Sequence, residues 1–74
     1  MSGKNGEINF HPYTANVLDY VGKRLVSTTT GESVEIRQDM RGQFTIYVAG
    51  VPTETELWNI AASSVLNRIG CKLA

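Results

Sequence analysis

The feature that most limits the fold of this chain is an alternation of apolar and polar residues in its middle. Two alternating runs, at 34–37 and 44–49, are separated by turn-forming residues at 39–42. Side chains along a strand point alternately to opposite sides, so each run should have one buried and one open face. The predicted buried residues are Val34, Ile36, Phe44, Ile46 and Val48. Those predicted for the open face are Glu35, Arg37, Thr45 and Tyr47.

Further strands are predicted on the N-terminal side of these two runs. Residues 24–30 are rich in β-branched side chains, and Gly31 follows at a turn. Connections this short give antiparallel neighbours, so the sequence predicts a three-stranded antiparallel β-meander. Residues 7–10 also alternate and could add a short edge strand, which Pro12 would end because proline cannot donate to a ladder.

A C-terminal amphipathic helix is predicted to cover the meander. Residues 53–56 read Thr-Glu-Thr-Glu, which is typical of a capping box, and Gly70 suits the helix end. The predicted apolar stripe is Leu57, Trp58, Ala61, Ala62, Val65, Leu66 and Ile69, with Glu56, Asn59, Ser63 and Asn67 opposite. A sheet with one apolar face and a helix with one apolar stripe should cover each other.

The N-terminal part is predicted to contribute a short helix over 12–22. Tyr13, Val17, Tyr20 and Val21 fall on one helical face, although a strand through 17–21 is the competing interpretation. Residues 1–6 contain two glycines and no large apolar side chain apart from Met1, and they are interpreted as a disordered tail. The fold class is therefore α+β, in the order α-β-β-β-α, with one small domain over 7–74.

Charge and length exclude several classes of protein. The 74 residues include seven basic and seven acidic side chains, so the chain has neither the acidic excess of a DNA mimic nor the basic excess of a non-specific nucleic-acid binder. No apolar run is long enough to span a bilayer, and no signal-peptide pattern opens the sequence. We therefore expect no binding to a membrane. The single cysteine, Cys71, cannot form an internal disulfide, so the chain is expected to be cytoplasmic.

Residues with catalytic or metal-binding chemistry are few. His11 is the only histidine and has no second ligand at zinc-binding spacing, so it is interpreted as a partly exposed loop residue. Cys71 follows the predicted helix C-terminus, where the helix dipole does not lower a thiol pKa, and is interpreted as a small apolar residue at the core edge. No nucleophile elbow or phosphate loop is present, so we expect no enzyme, no cofactor and no metal.

The open sheet face is the candidate partner-binding surface. Glu35, Arg37, Thr45 and Tyr47 should be exposed together there, with Arg24 or Lys23 on the neighbouring strand. Arg and Tyr dominate binding hot spots, although a solvated face with weak Glu–Arg pairs explains these residues equally well. Ile60 is a further candidate, because it falls outside the apolar stripe of the predicted helix and could contact a partner or a second copy.

Two families share parts of this pattern. The Val-Glu-Ile-Arg run at 34–37 and the Thr-Glu-Thr-Glu run at 53–56 resemble AP2-like and phage-integrase arm-binding domains over about half the chain. This resemblance implies reading of the DNA major groove by a three-stranded sheet, but only Arg37, Tyr47 and Arg24 match its basic and aromatic open face. The α-β-β-β-α order also resembles a double-stranded-RNA-binding domain. The acids at 54 and 56 replace the lysine cluster of that family, which excludes RNA binding of that kind.

The sequence thus favours a small non-catalytic protein-binding module, of the accessory or phage-type inhibitor kind, that acts through its open sheet face. The first alternative is a sequence-specific DNA reader using the same face. The second is an oligomer that sequesters a small ligand at its interface. The sequence is compatible with a homo-oligomer as well as with a monomer.

Overall fold

The computed structural model describes residues 7–11 and 16–74, which form an α+β fold with one antiparallel sheet. The five strands are β1 (Leu25–Ser27), β2 (Ser33–Gln38), β3 (Phe44–Val48), β4 (Val51–Leu57) and β5 (Cys71–Leu73). Their order across the sheet is β4-β3-β2-β1-β5. A 3₁₀ helix spans Asn16–Tyr20, and the helix α1 spans Asn59–Ile69 between β4 and β5.

The alternation in the middle of the chain is confirmed. Ile36 lies opposite Ile46 and Val34 opposite Val48, and all but the half-buried Val48 are removed from solvent. On the other side of the same strands, Glu35 lies opposite Tyr47. Because successive side chains of a strand point to opposite sides, these two strands have one apolar, buried face and one open face.

The predicted start of the C-terminal helix is wrong. Residues 53–56 lie inside β4, which pairs with β3, and α1 begins only after Trp58. The physical reason is that Val51, Thr53 and Thr55 are β-branched at every second position, and β3 has a free edge that a strand can satisfy. β4 is itself an edge strand, and Pro52 together with two register shifts against β3 makes it a poor template for further pairing.

The predicted sheet of three strands is also too small. The two-residue turn at Ala49 and Gly50 joins β3 to β4, and both turn residues have positive φ, at 54° and 81°. At the opposite edge β5 pairs with β1, so that Leu25 faces Leu73 and Ser27 faces Cys71. Since β4 and β5 are the two edges, α1 connects them across the face that it covers.

The buried stripe of α1 is shifted from the predicted one. Ala62, Val65 and Leu66 are buried as expected, but Ser63 is also buried, whereas Trp58 and Ala61 are exposed. Trp58 is the residue before the helix and is therefore not on its inner face. Ser63 tolerates burial because its single hydroxyl proton is shared between the backbone carbonyls of Asn59 and Ile60, each 3.0 Å from Oγ.

In its described part, the N-terminal region has a shorter helix than predicted and no edge strand, but it still contributes side chains to the core. The helix predicted over 12–22 is a 3₁₀ helix over Asn16–Tyr20, and its residues 12–15, like the predicted tail at 1–6, lie outside the described residues. Residues 7–10 are not a strand, although the amide of Ile8 donates to the carbonyl of Cys71 at 2.7 Å. Phe10 is buried with its ring edge-on to Tyr20, at 5.5 Å between centroids.

Candidate functional site

Three side chains form an organised cluster on the uncovered face of the sheet. Arg37 and Glu35 are two residues apart on β2, so they project to the same side, and Nε of Arg37 lies 3.1 Å from Oε2 of Glu35. The guanidinium carbon of Arg37 lies 5.5 Å from the centroid of the Tyr47 ring, within range of a cation–π contact. The Arg37 side chain is largely exposed and that of Glu35 is partly exposed, so this pair adds little stability, but it restricts where the guanidinium can point.

A shallow groove of about 380 Å³ lies beside this cluster. Its lining includes Arg24, Val26, Ser33, Glu35, Tyr47 and Gly50. Arg24 directly precedes β1, and its carbonyl accepts a hydrogen bond from the amide of Ala74 at 3.0 Å, which holds this end of the strand in the sheet. The groove therefore combines an aromatic and an aliphatic surface with charges of both signs.

The structure brings together five of the six residues predicted to bind a partner. Arg24, Glu35 and Tyr47 line the groove, while Arg37 contacts Glu35 and Tyr47. Thr45 lies opposite Arg37 on β3, at the same side of the sheet. Ile60 is 58% exposed, but it belongs to α1, which covers the other face. Ile60 is therefore part of a separate surface.

Sequence reasoning missed Lys72 as a residue of the open face. Lys72 lies opposite Val26 in the β1–β5 pairing, and Val26 lines the groove. Residues directly opposite each other in an antiparallel pair project to the same side, so Lys72 extends the face toward this edge. The available signal was the apolar–polar–apolar run Cys71, Lys72, Leu73 after the helix-ending Gly70.

The residues considered for chemistry have ordinary environments. His11 is exposed, and its Nε2 lies 3.4 Å from the side-chain amide of Asn9. Burial, with a smaller contribution from the negative charge of Glu7, raises the pKa of the Cys71 thiol from its ordinary value of 9.0 to about 11. This thiol is therefore neutral and weakly nucleophilic at neutral pH. Among the described residues, no three His, Cys, Asp or Glu side chains are grouped closely enough to hold a metal ion.

A second concavity, of about 230 Å³, lies near the C-terminus of α1. Its polar lining includes Ser27, Thr29, Glu32 and Arg68. The hydroxyls of Ser27 and Thr29 both donate to the carbonyl of Ile69, at 3.4 and 2.7 Å, and so they satisfy a helix end. These hydroxyls have a structural role, which leaves the open sheet face as the better candidate site.

Comparisons with known proteins do not assign the chain to a family or a function. No family model, curated protein or solved structure matches the chain. In the part of the chain that the structure describes, none of the helices has the length and apolar character needed to cross a membrane. The geometry of the open face is thus the basis for a functional proposal.

Proposed function

We propose that this protein is a non-catalytic protein-binding module that engages its partner through the open face of the sheet. The observation that carries the proposal is the Arg37 guanidinium positioned between the Glu35 carboxylate and the Tyr47 ring, beside a groove. Such a chain would act as an accessory or inhibitory component of a larger assembly. We place this role in the cytoplasm, where a single cysteine such as Cys71 persists as a free thiol.

The physical support comes from how binding energy is distributed in interfaces. Tyr and Arg are enriched among the residues whose truncation costs most, because each buries a large area with few or well-restrained rotatable bonds. Here Arg37 is held by two neighbours before any partner arrives, so less side-chain entropy is lost on binding. The rigid sheet beneath these side chains adds to this pre-organisation.

The test compares two double variants in affinity capture from the native host. The variant Arg37→Glu with Tyr47→Ala alters the open face. The matched control, Arg68→Glu with Ile60→Ala, makes the same kinds of change on exposed residues of α1. We expect the first variant to lose its specific partner and the control to keep it. Loss of the partner only in the control would move the interface to the helix side and overturn the proposal.

Nuclease treatment of the lysate separates this proposal from the DNA-reading alternative. A protein partner survives the treatment, whereas a partner held through DNA does not. A DNA reader needs several basic side chains for the phosphates, whereas the open face combines few cations with the Glu35 carboxylate, which favours the protein partner. Complete loss of capture after nuclease treatment would contradict a protein-binding role.

A further inference from the structure

The formal neutrality of the chain conceals an uneven distribution of charge over the sheet. Alternation and register place three of the seven basic side chains, Arg24, Arg37 and Lys72, on the open face or its rim. The same register places the acidic side chain of Glu35 there. Glu54 lies opposite Ile46 instead, and Glu56 pairs with Arg41 at 3.8 Å. The open face thus has a local positive excess.

The cations of this face differ in how far they are already paired. The Glu35 carboxylate is satisfied by Arg37 at 3.1 Å. The ion pairs of the described residues involve neither Arg24 nor Lys72. Arg24 is exposed at the groove, and Lys72 lies across the ladder from Val26. Two positive charges are therefore available to an incoming ligand.

The surface beside these charges includes apolar side chains. Val26 is half-buried and lines the groove together with the Tyr47 ring. Gly50 is at the rim, where a side chain would have nothing within 4 Å, so the backbone there leaves space for a ligand. An apolar group placed against Val26 would lie next to Arg24, two residues earlier in the chain, and next to Lys72, directly across the ladder. This arrangement matches an aliphatic or aromatic side chain next to carboxylates.

We propose that the groove accepts an acidic polypeptide segment of the partner, with carboxylates flanking an apolar side chain. This inference rests on the proposed function, because it names the chemistry recognised by the same face. Complementary charge steers association and discriminates against partners with like charge. A polyphosphate chain fits less well, because binding driven by phosphates requires many unpaired cations, and on this face, among the described residues, only Arg24 and Lys72 lie outside the ion pairs.

The test is a selection of random displayed peptides against the intact protein, followed by binding measurements with the selected synthetic peptides. We expect enrichment of Asp and Glu beside apolar residues. Arg24→Glu should weaken binding of these peptides about tenfold, equivalent to ~1.4 kcal/mol. The matched reversal Arg68→Glu, on an exposed position of α1, should leave it within about twofold. Replacing the peptide acids by amides should reproduce the effect of Arg24→Glu.

The outcomes separate this inference from the proposed function. Selection of neutral or basic peptides, or of no peptides, would overturn the inference that the groove binds an acidic segment. Equal losses of peptide affinity with Arg24→Glu and Arg68→Glu would overturn it as well. The double variant Arg37→Glu with Tyr47→Ala can still abolish capture of the native partner in that case, and the binding role of the face would then stand. Circular dichroism and a thermal melt of each variant exclude misfolding as the cause of lost binding.

Discussion

The two ends of α1 are held in very different ways. At its C-terminus, the carbonyl of Ile69 accepts hydrogen bonds from Ser27 and Thr29, and the Gly70 carbonyl accepts one from the amide of Thr28 at 2.7 Å. At its N-terminus, Trp58 occupies the capping position and makes no side-chain cap hydrogen bond. Trp58 is 59% exposed, whereas Gly70 and Cys71 at the other end are buried.

This difference shows where tertiary structure, rather than local sequence, determines a helix boundary. The partners at the C-terminal end come from the last residue of β1 and the turn after it, about forty residues earlier in the chain. They satisfy carbonyls that would otherwise lose their hydrogen bonds on burial. The N-terminal end faces solvent, where water can satisfy the amides of the first turn. Substitutions at the C-terminal end should therefore cost more stability than those at the N-terminal end.

The largest effect is expected for Gly70→Ala. Gly70 has φ 77°, and an added Cβ would collide with Oγ1 of Thr28 and lie 2.9 Å from Oε2 of Glu7. Backbone strain and steric overlap together should lower the free energy of unfolding by about 3 kcal/mol or more. Urea denaturation followed by Trp58 fluorescence or circular dichroism measures this loss.

Gly31→Ala is the matched control for this prediction. Gly31 has nearly the same φ, 81°, but an added Cβ there meets nothing within 4 Å. Only the strain remains, so we expect a loss of about 1 kcal/mol. Equal losses for the two variants would show that the close approach of the Thr28 turn to the helix end is unimportant.

A smaller effect is expected where α1 holds the N-terminal segment. Oδ1 of Asn67 accepts from the amide of Phe10 at 2.9 Å, and Nδ2 donates to its carbonyl at 2.7 Å. The side-chain amide thus pairs with the backbone as a neighbouring strand would. Asn67→Ala leaves both groups of Phe10 without these partners and should lower stability by about 2 kcal/mol. Amide hydrogen exchange should become faster at Phe10.

Ser64→Ala serves as the comparison on the same helix. Ser64 is exposed, so its replacement should change stability by no more than about 0.5 kcal/mol. If Asn67→Ala had an effect as small as this, or left exchange at Phe10 unchanged, the segment at 7–11 would be held by its apolar contacts alone.

The sequence predicted correctly those parts of the fold that depend on neighbours in the chain. The strands β2 and β3 alternate strictly and are joined by a short turn, so their register and faces follow from local pattern. Gly70 marks the end of α1 because glycine readily adopts the positive φ found there. The open face of the candidate site was predictable for the same reason, as Glu35, Arg37 and Tyr47 alternate with buried residues.

The remaining parts depend on pairing that local pattern does not specify. The run at 53–56 is compatible both with a helix N-terminus and with an edge strand. It forms a strand because its backbone pairs with the otherwise unpaired edge of β3. The strand β5 has only three residues and pairs with β1, which lies far away in the sequence. Without that pairing, the sequence could not place Lys72 on the open face. Nor could it show that Ile60 lies on the helix side of the sheet, away from the other candidate residues.

The smallest effect is expected at the uncapped N-terminus of α1. Trp58 has the extended backbone of a capping residue, with φ −82° and ψ 171°, but its indole cannot accept a hydrogen bond from the first turn. Trp58→Ser supplies a hydroxyl that can, whereas Trp58→Ala removes the indole without supplying one. The serine variant should be more stable than the alanine variant by about 1 kcal/mol in urea denaturation followed by circular dichroism. Because both variants lose the same indole contacts, their difference isolates the cap. Equal stabilities would mean that the first turn of α1 already has adequate partners, and the contrast between the two helix ends would then lie only in their burial.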